Sequence, residues 1–295
     1  MTDAEKRGVA IPPALSWLLE EPAGRLWLDG LPALAEALAR DWALGLEAPY
    51  PDGFASLAVR VRTAGGVSAV LKLQFPDRES RAEADALAAW HGDGAVRLLE
   101  SDPSRRALLL ERCEPGTPLL AQPPAEQLDV LARLLPRLWV PAPDAVGSLR
   151  DEAAWWAAGL EGSWERSGRS LPREILDAAL EALTELPADP TETVLLNQDL
   201  HAGNVLATAR EPWLVIDPKP LSGEQAFGLA PVLRDVGRRD PADVVPALDR
   251  LTTELGLDRE RCRRWALAQT VAWGFDGVSV DPVHAAVAQV LHVAG

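Results

Sequence analysis

Between residues 193 and 219, two short apolar runs, Thr193 to Leu196 and Trp213 to Ile216, each end in oxygen-bearing side chains. The first leads into Asn197-Gln198-Asp199-Leu200-His201-Ala202-Gly203-Asn204-Val205-Leu206, the second into Asp217-Pro218-Lys219. Runs this short, bounded by polar segments, read as buried strands rather than helices. Strands anchored in a core hold a polar loop rigidly, so the pattern demands a fold that presents Asp199, Asn204 and Asp217 at one edge. Two carboxylates and a carboxamide are hard oxygen ligands, suited to Mg²⁺ held beside substrate phosphates.

The remainder of the chain says what surrounds that edge. Pro12 to Leu46 has helical spacing (Leu15, Leu18, Leu19, then Leu31, Leu34, Leu38) with a break at Pro22-Ala23-Gly24. Phe54 to Arg62 alternates as a strand does, Ala64-Gly65-Gly66 is a hairpin turn, and Val67 to Leu73 is the partner strand. Glu79 to Trp90, rich in Ala and Glu, reads as helix. Two strands, Ala95 to Glu100 and Ala107 to Arg112, follow, then a loop at Glu114 to Pro118. Helical patterns cover Ala125 to Trp139, Leu149 to Ser167, Glu174 to Glu185, Val245 to Glu254, Arg259 to Trp273 and Val283 to Val293. The expected fold is therefore α+β and two-lobed. A small antiparallel sheet with preceding helices (1–112) adjoins a larger helical lobe (113–295).

An Asp five residues before an Asn, with a second Asp after the next strand, is the phosphoryl-transfer arrangement of the protein-kinase scaffold. There the first Asp meets the acceptor hydroxyl, and the Asn and second Asp hold the metals. The segment Asp-Leu-His-Ala-Gly-Asn-Val-Leu followed by Trp-Leu-Val-Ile-Asp-Pro-Lys resembles the aminoglycoside phosphotransferases. The Asp-Pro-Lys ending and Leu221 to Ala230 are similar to the streptomycin/hydroxyurea branch in particular. The likeness spans roughly residues 25–290. Where such proteins usually carry His-Gly before the Asp, this chain has Asn197-Gln198. The resemblance implies Asp199 as catalytic residue, Asn204 and Asp217 as Mg²⁺ ligands, and a nucleoside triphosphate, ATP or GTP, as phosphoryl donor. Lys72, in Ala69-Val70-Leu71-Lys72-Leu73, matches the strand lysine that pairs with α- and β-phosphates. Its expected partner on the next helix is Glu83, four residues from Glu79 and on the same face. Adenine is expected against backbone groups of Glu111 and Cys113. The resemblance makes His201 a brace for its loop rather than a base. Pro51-Asp52-Gly53-Phe54-Ala55-Ser56 could cover phosphate, although an ordinary turn reads equally well.

Only three lysines, Lys6, Lys72 and Lys219, occur among 29 basic residues, so each internal lysine is a candidate for a place needing a compact ammonium. Acceptor candidates are Lys219, Glu224, Trp273 and Asp276. Eleven tryptophans among sixteen aromatic residues exceed ordinary usage; Trp155, Trp156 and Trp164 share one predicted helix, Trp265 and Trp273 another. Most belong in a core, while rings beside acids such as Glu152 or Asp276 suit a cationic ligand. A net charge of −15 opposes nucleic-acid binding and is compatible with a cationic small molecule, without specifying one. Two cysteines, the charged start at Met1 to Gly8 and no long apolar run point to a cytoplasmic protein away from membranes. A monomer or weak homodimer is expected, although the sequence does not fix the oligomeric state. The expected activity is transfer of a γ-phosphoryl to a hydroxyl of a small molecule such as streptomycin. A kinase of an unrelated sugar, alcohol or amine, or a silent nucleotide-binding sensor on the same fold, are the alternatives.

Overall fold

A 3₁₀ helix, Pro13–Glu20, leads into helix α1 (Pro22–Asp41), whose first turn takes Pro22 where its missing N–H costs nothing. The computed structural model describes residues 9–188 and 192–295, so the charged start with Lys6 lies outside the described residues. Helix was expected to run on to Leu46. It stops at Asp41, because Ala43 takes a left-handed φ of 52° and Leu44–Pro49 becomes strand β1. Gly45 disfavours helix, and Pro49 is tolerated because β1 is an edge strand.

Strands β2 (Ser56–Thr63) and β3 (Ser68–Gln74) form the expected hairpin, closed by a bond from the Gly66 N–H to the Thr63 carbonyl. Helix α2 (Glu83–Trp90) follows, then β4 (Leu98–Asp102) and β5 (Ala107–Glu111). The five strands make one antiparallel sheet in the order β1-β2-β3-β5-β4. Its alternation separates two faces. Leu57, Val59, Val61, Ala69, Leu71 and Leu73 pack with Leu15, Leu18, Leu31 and Leu38 from the N-terminal helices. Leu108 and Leu110 turn the other way, into the main core. Lys72, paired in register with Ala58 and Leu108, projects on that second face.

Two further expectations need correction. The helix expected from Glu79 begins at Glu83, because the Asp77 carboxylate accepts from the Ser80 N–H (2.7 Å) and hydroxyl (2.9 Å), a turn that competes with helix. The loop expected at 114–118 contains strand β6 (Pro115–Pro118), an edge strand where two prolines are tolerated.

Helices α3 (Pro124–Leu138), α4 (Leu149–Arg166) and α5 (Arg173–Glu185) precede four short strands: β7 (Thr193–Asn197), β8 (Val205–Thr208), β9 (Trp213–Val215) and β10 (Pro220–Glu224). Helices α6 (Ala230–Arg239), α7 (Val244–Leu255), α8 (Arg259–Trp273) and α9 (Pro282–Val293) finish the chain. Ser148, Asp258 and Asp281 cap α4, α8 and α9 by accepting first-turn N–H bonds. Trp156 stacks on Phe227, and Trp265 meets the same ring edge-on at 5.4 Å, so these tryptophans are core. Among the described residues no helix is long and apolar enough to cross a membrane.

Candidate active site

Two strand pairs build the site. β7 pairs with β10 so that Asn197 faces Pro220, which sets Asp199 beside Lys219. β8 pairs with β9 so that Val205 faces Val215, and the Ile216 N–H donates to the Asn204 carbonyl at 2.9 Å, which sets Asn204 beside Asp217. The buried Val194, Leu195, Leu196, Val205, Leu214 and Val215 anchor these strands in the core. The polar residues between them are thereby held at the mouth of a cleft of about 440 Å³, which Lys72, Asp199, Asn204, Asp217 and Lys219 all line.

Asn197 ties the two loops together. Its Oδ1 accepts from the Asp199 N–H at 3.1 Å and from the Lys219 N–H at 3.0 Å. Asn197, expected from the resemblance to replace a histidine, thus braces both loops through one side-chain oxygen. His201 acts locally: its Nδ1 accepts from the Gly203 N–H at 3.1 Å. Asp217 takes a left-handed φ of 50°, a conformation costing about 1–2 kcal/mol for a non-glycine residue, and its half-exposed carboxylate stands in the cleft.

From the sheet side, the Lys72 ammonium reaches Glu83 at 2.6 and 2.7 Å and Asp217 at 2.5 Å. Gln74 Nε2 donates to the same Glu83 carboxylate at 2.7 Å. Burial opposes the charge on Lys72, but Asp217 and Glu83 outweigh it and raise the ammonium above its ordinary range. Partial desolvation at the cleft mouth opposes the charge on Asp217, yet the Lys72 ammonium beside it wins and holds that carboxyl below the usual carboxylate range. Burial pushes the Glu83 carboxyl up to about 7, against the pull of Lys72.

That last shift has a measurable result. Lys72 is oriented by an ionised Glu83, so the clamp loosens as pH falls through about 7. The expected kcat/KM for nucleotide has an acid limb near pH 7, and Glu83→Gln replaces it with a lower, flat profile over the same range. The stability contribution runs the other way. A carboxyl whose folded value lies above its ordinary 4.5 favours the fold most below pH 4.5, and loses that contribution as pH rises to about 7.

Asn204 Nδ2 donates to the Asp199 carbonyl at 3.3 Å, which leaves its Oδ1 as the acceptor it can offer a cation. Lys72 occupies one Asp217 oxygen, so the other remains. Among the described residues no group of three or more His, Cys, Asp or Glu side chains could hold a metal alone. Two oxygen ligands with further positions left for phosphate and water is the donor set that fits Mg²⁺.

Asp199 has two cationic neighbours. Arg234 Nη2 donates to its Oδ1 at 2.9 Å, and Lys219 Nζ lies 3.5 Å from Oδ2. Lys219 also bridges to Glu79 at 2.8 Å, so Glu79 joins the cleft from outside the helix where it was expected. Trp273 reaches the site, with its ring 4.1 Å from the Arg234 guanidinium carbon and 5.1 Å from Lys219 Nζ, so protein cations already stand against it. Arg234 was missed. The available signal was a charged residue among Val232, Leu233 and Val236 on the face α6 buries. Trp17 and Phe54, stacked at 4.9 Å with the Trp17 indole donating to the Phe54 carbonyl, also line the cleft, and only Phe54 lies in a segment singled out above.

Four candidates lie elsewhere. Glu224 is an acceptor-site residue by expectation but is buried at the end of β10, where it accepts from the Trp265 indole and pairs with Arg261. Asp276 braces its own turn, accepting from the Val278 and Ser279 N–H groups at 3.0 and 2.7 Å, and does not line the cleft. The Glu111 side chain is turned onto Arg210 at 2.8 and 2.9 Å, and its N–H is committed to the Arg97 carbonyl. Of its backbone groups only the carbonyl is left to offer a base. Cys113 is buried, which pushes its thiol up to about 12, so it packs rather than reacts. Neither lines the cleft around Lys72.

A lysine clamped to a helix glutamate, facing an Asp/Asn/Asp set on paired strand ends, defines the kinase-like class of phosphotransferases. The chain belongs to the aminoglycoside/hydroxyurea antibiotic resistance kinase family, whose profile matches residues 41–276. It is 42% identical over 253 residues to a hydroxyurea phosphotransferase of Kitasatospora aureofaciens, covering 84% of this chain and 74% of that protein. It is 38% identical over 281 residues to a streptomycin 6-kinase of Streptomyces glaucescens, covering 91% of each. Among solved structures, an aminoglycoside phosphotransferase APH(4)-Ia mutant in complex with ADP and hygromycin B shares the fold at a TM-score of 0.60 and 16% identity, over 87% of this chain and 94% of that one. A choline kinase from Cryptosporidium parvum shares it at 0.57 and 11%, over 89% and 93%. This chain is a phosphotransferase of hydroxyl acceptors.

Proposed function

We propose that the cleft moves the γ-phosphoryl of ATP to a hydroxyl of a small molecule, either a cationic aminoglycoside such as streptomycin or the small uncharged hydroxyurea. The convergence of Lys72, Asp199, Asn204 and Asp217 on one cleft carries this reading. Its architecture is a nucleotide lobe ending near Arg112 and an acceptor-binding lobe beyond it. Lys72, fixed by Glu83, places the α- and β-phosphates. Asn204 and Asp217 would hold Mg²⁺, which when bound neutralises charge between the phosphates. Asp199 aligns the acceptor hydroxyl with the phosphorus and takes its proton late, because a loose transition state needs position and charge balance more than a strong base. The carboxylates of Glu21, Asp52, Asp77 and Glu79 line the same cleft and favour a cationic acceptor. The acceptor class is also supported by two relatives named for streptomycin and hydroxyurea at about 40% identity.

Nucleotide consumption measured across streptomycin-type aminoglycosides, hydroxyurea, amino sugars and simple alcohols tests the reading. Streptomycin or hydroxyurea is expected to stimulate ADP release at least tenfold over the no-acceptor rate, with Mg²⁺ required. Stimulation by an amino sugar or a simple alcohol, with neither streptomycin nor hydroxyurea active, would move the activity to another acceptor class. Nucleotide binding without stimulated turnover would make the protein a sensor.

A further inference from the structure

We propose that Arg234 is a positioning residue, which holds the Asp199 carboxylate in the orientation that receives the acceptor hydroxyl. The inference rests on the phosphotransferase reading above and goes beyond it in assigning a residue outside the Asp/Asn/Asp pattern. Helix α6 grips the loop at two points. Asp235 accepts from the Ala202 N–H at 3.2 Å, a bond to backbone that sets the loop's path. Arg234 instead donates to the side chain, through Nη2 to Asp199 Oδ1 at 2.9 Å. It is only 5% exposed, and its guanidinium lies 4.1 Å from the Trp273 ring, which fixes its plane.

The bonding is poor for a purely structural arginine. Burying a guanidinium is expensive unless its donors are matched. Here Nη1 is buried without a hydrogen-bond partner among the described residues. What Arg234 does accomplish is to remove rotation from Asp199. With one oxygen held by Arg234 and Lys219 3.5 Å from the other, the carboxylate plane is defined from both sides. A misplacement of about 1 Å at the reacting centre costs on the order of 10²-fold in rate. A free carboxylate rotor would misplace the acceptor by about that much.

Arg234→Met and Arg234→Lys separate the two roles. Met fills the buried space, and Lys219, 3.5 Å from Asp199 Oδ2, leaves the carboxylate one cationic partner, so the chain should still fold with a melting temperature several degrees below wild type. Nucleotide affinity and acceptor KM should stay within a few-fold, while kcat falls on the order of 10²-fold. Lys returns a donor toward Oδ1 and should recover about tenfold of that loss. In an Asp199→Asn background, Arg234→Met should lower kcat less than about threefold further, because the two residues act as one unit. Three results would overturn the proposal: a wild-type kcat in Arg234→Met, a fully additive loss in the double variant, or an Arg234→Met chain that does not fold, which would make the residue structural. A wild-type protein without acceptor turnover would instead remove the phosphotransferase reading, and this inference with it.

Discussion

Asp199→Asn should lower acceptor phosphorylation by about 10²–10⁴-fold while nucleotide affinity stays within a few-fold. The substitution keeps the volume but removes the charge that takes the proton. It also gives Arg234 and Lys219, at 2.9 and 3.5 Å, an uncharged amide in place of a carboxylate. Lys72, Asn204 and Asp217 remain, so the nucleotide loses none of its contacts. Calorimetric binding beside turnover on the best acceptor checks this. Loss of both together would make Asp199 structural, since its N–H and carbonyl already tie the loop through Asn197 and Asn204.

Lys72→Ala is the second large effect, and it should fall on nucleotide use. The ammonium bridges Glu83 and Asp217 from the sheet to the paired strand ends, a link that no other side chain at this point can replace. Loss of a preorganised charge aimed at phosphate should lower kcat/KM for nucleotide on the order of 10²–10³-fold. Some stability should go as well. Breaking a buried pair by removing one partner costs about 3–5 kcal/mol when the other stays charged. Glu83, fully buried with a carboxyl raised to about 7, can take up a proton instead, so the loss of melting temperature should be smaller at pH 6 than at pH 8. Unchanged nucleotide kinetics would remove Lys72 from the phosphate site.

Much of this architecture was legible because it rests on local periodicity. The alternation of Leu57, Val59 and Val61, the Gly65-Gly66 turn and the strand bearing Lys72 are short-range signals, and the structure follows them. The errors came where tertiary contacts decided. Leu44 to Pro49 has no strand periodicity of its own and pairs only because β2 offers an edge. Glu79 is an ordinary helix former, yet an Asp77–Ser80 turn and Lys219 take it out of the helix. The Asp199, Asn204 and Asp217 spacing was readable because it lies within one continuous segment, and the structure brings the three to one cleft. Arg234 was not, because its meaning depends on a partner 35 residues away that only the packing of α6 brings within 2.9 Å. Glu224 and Asp276 show the converse. An acid near aromatic residues in sequence can be a buried ion-pair partner or a turn brace, and only side-chain direction tells them apart.

The most direct test follows the transferred group itself. Protein, Mg²⁺, streptomycin and ATP labelled at the γ-phosphoryl are mixed, and the products are separated for wild type and Asp199→Asn side by side. The account predicts label covalently bound to the acceptor at a hydroxyl oxygen in the wild-type reaction, and at least 10²-fold less in the variant over the same time. Label found only as inorganic phosphate across the whole acceptor set, or equal acceptor labelling by both proteins, would contradict it.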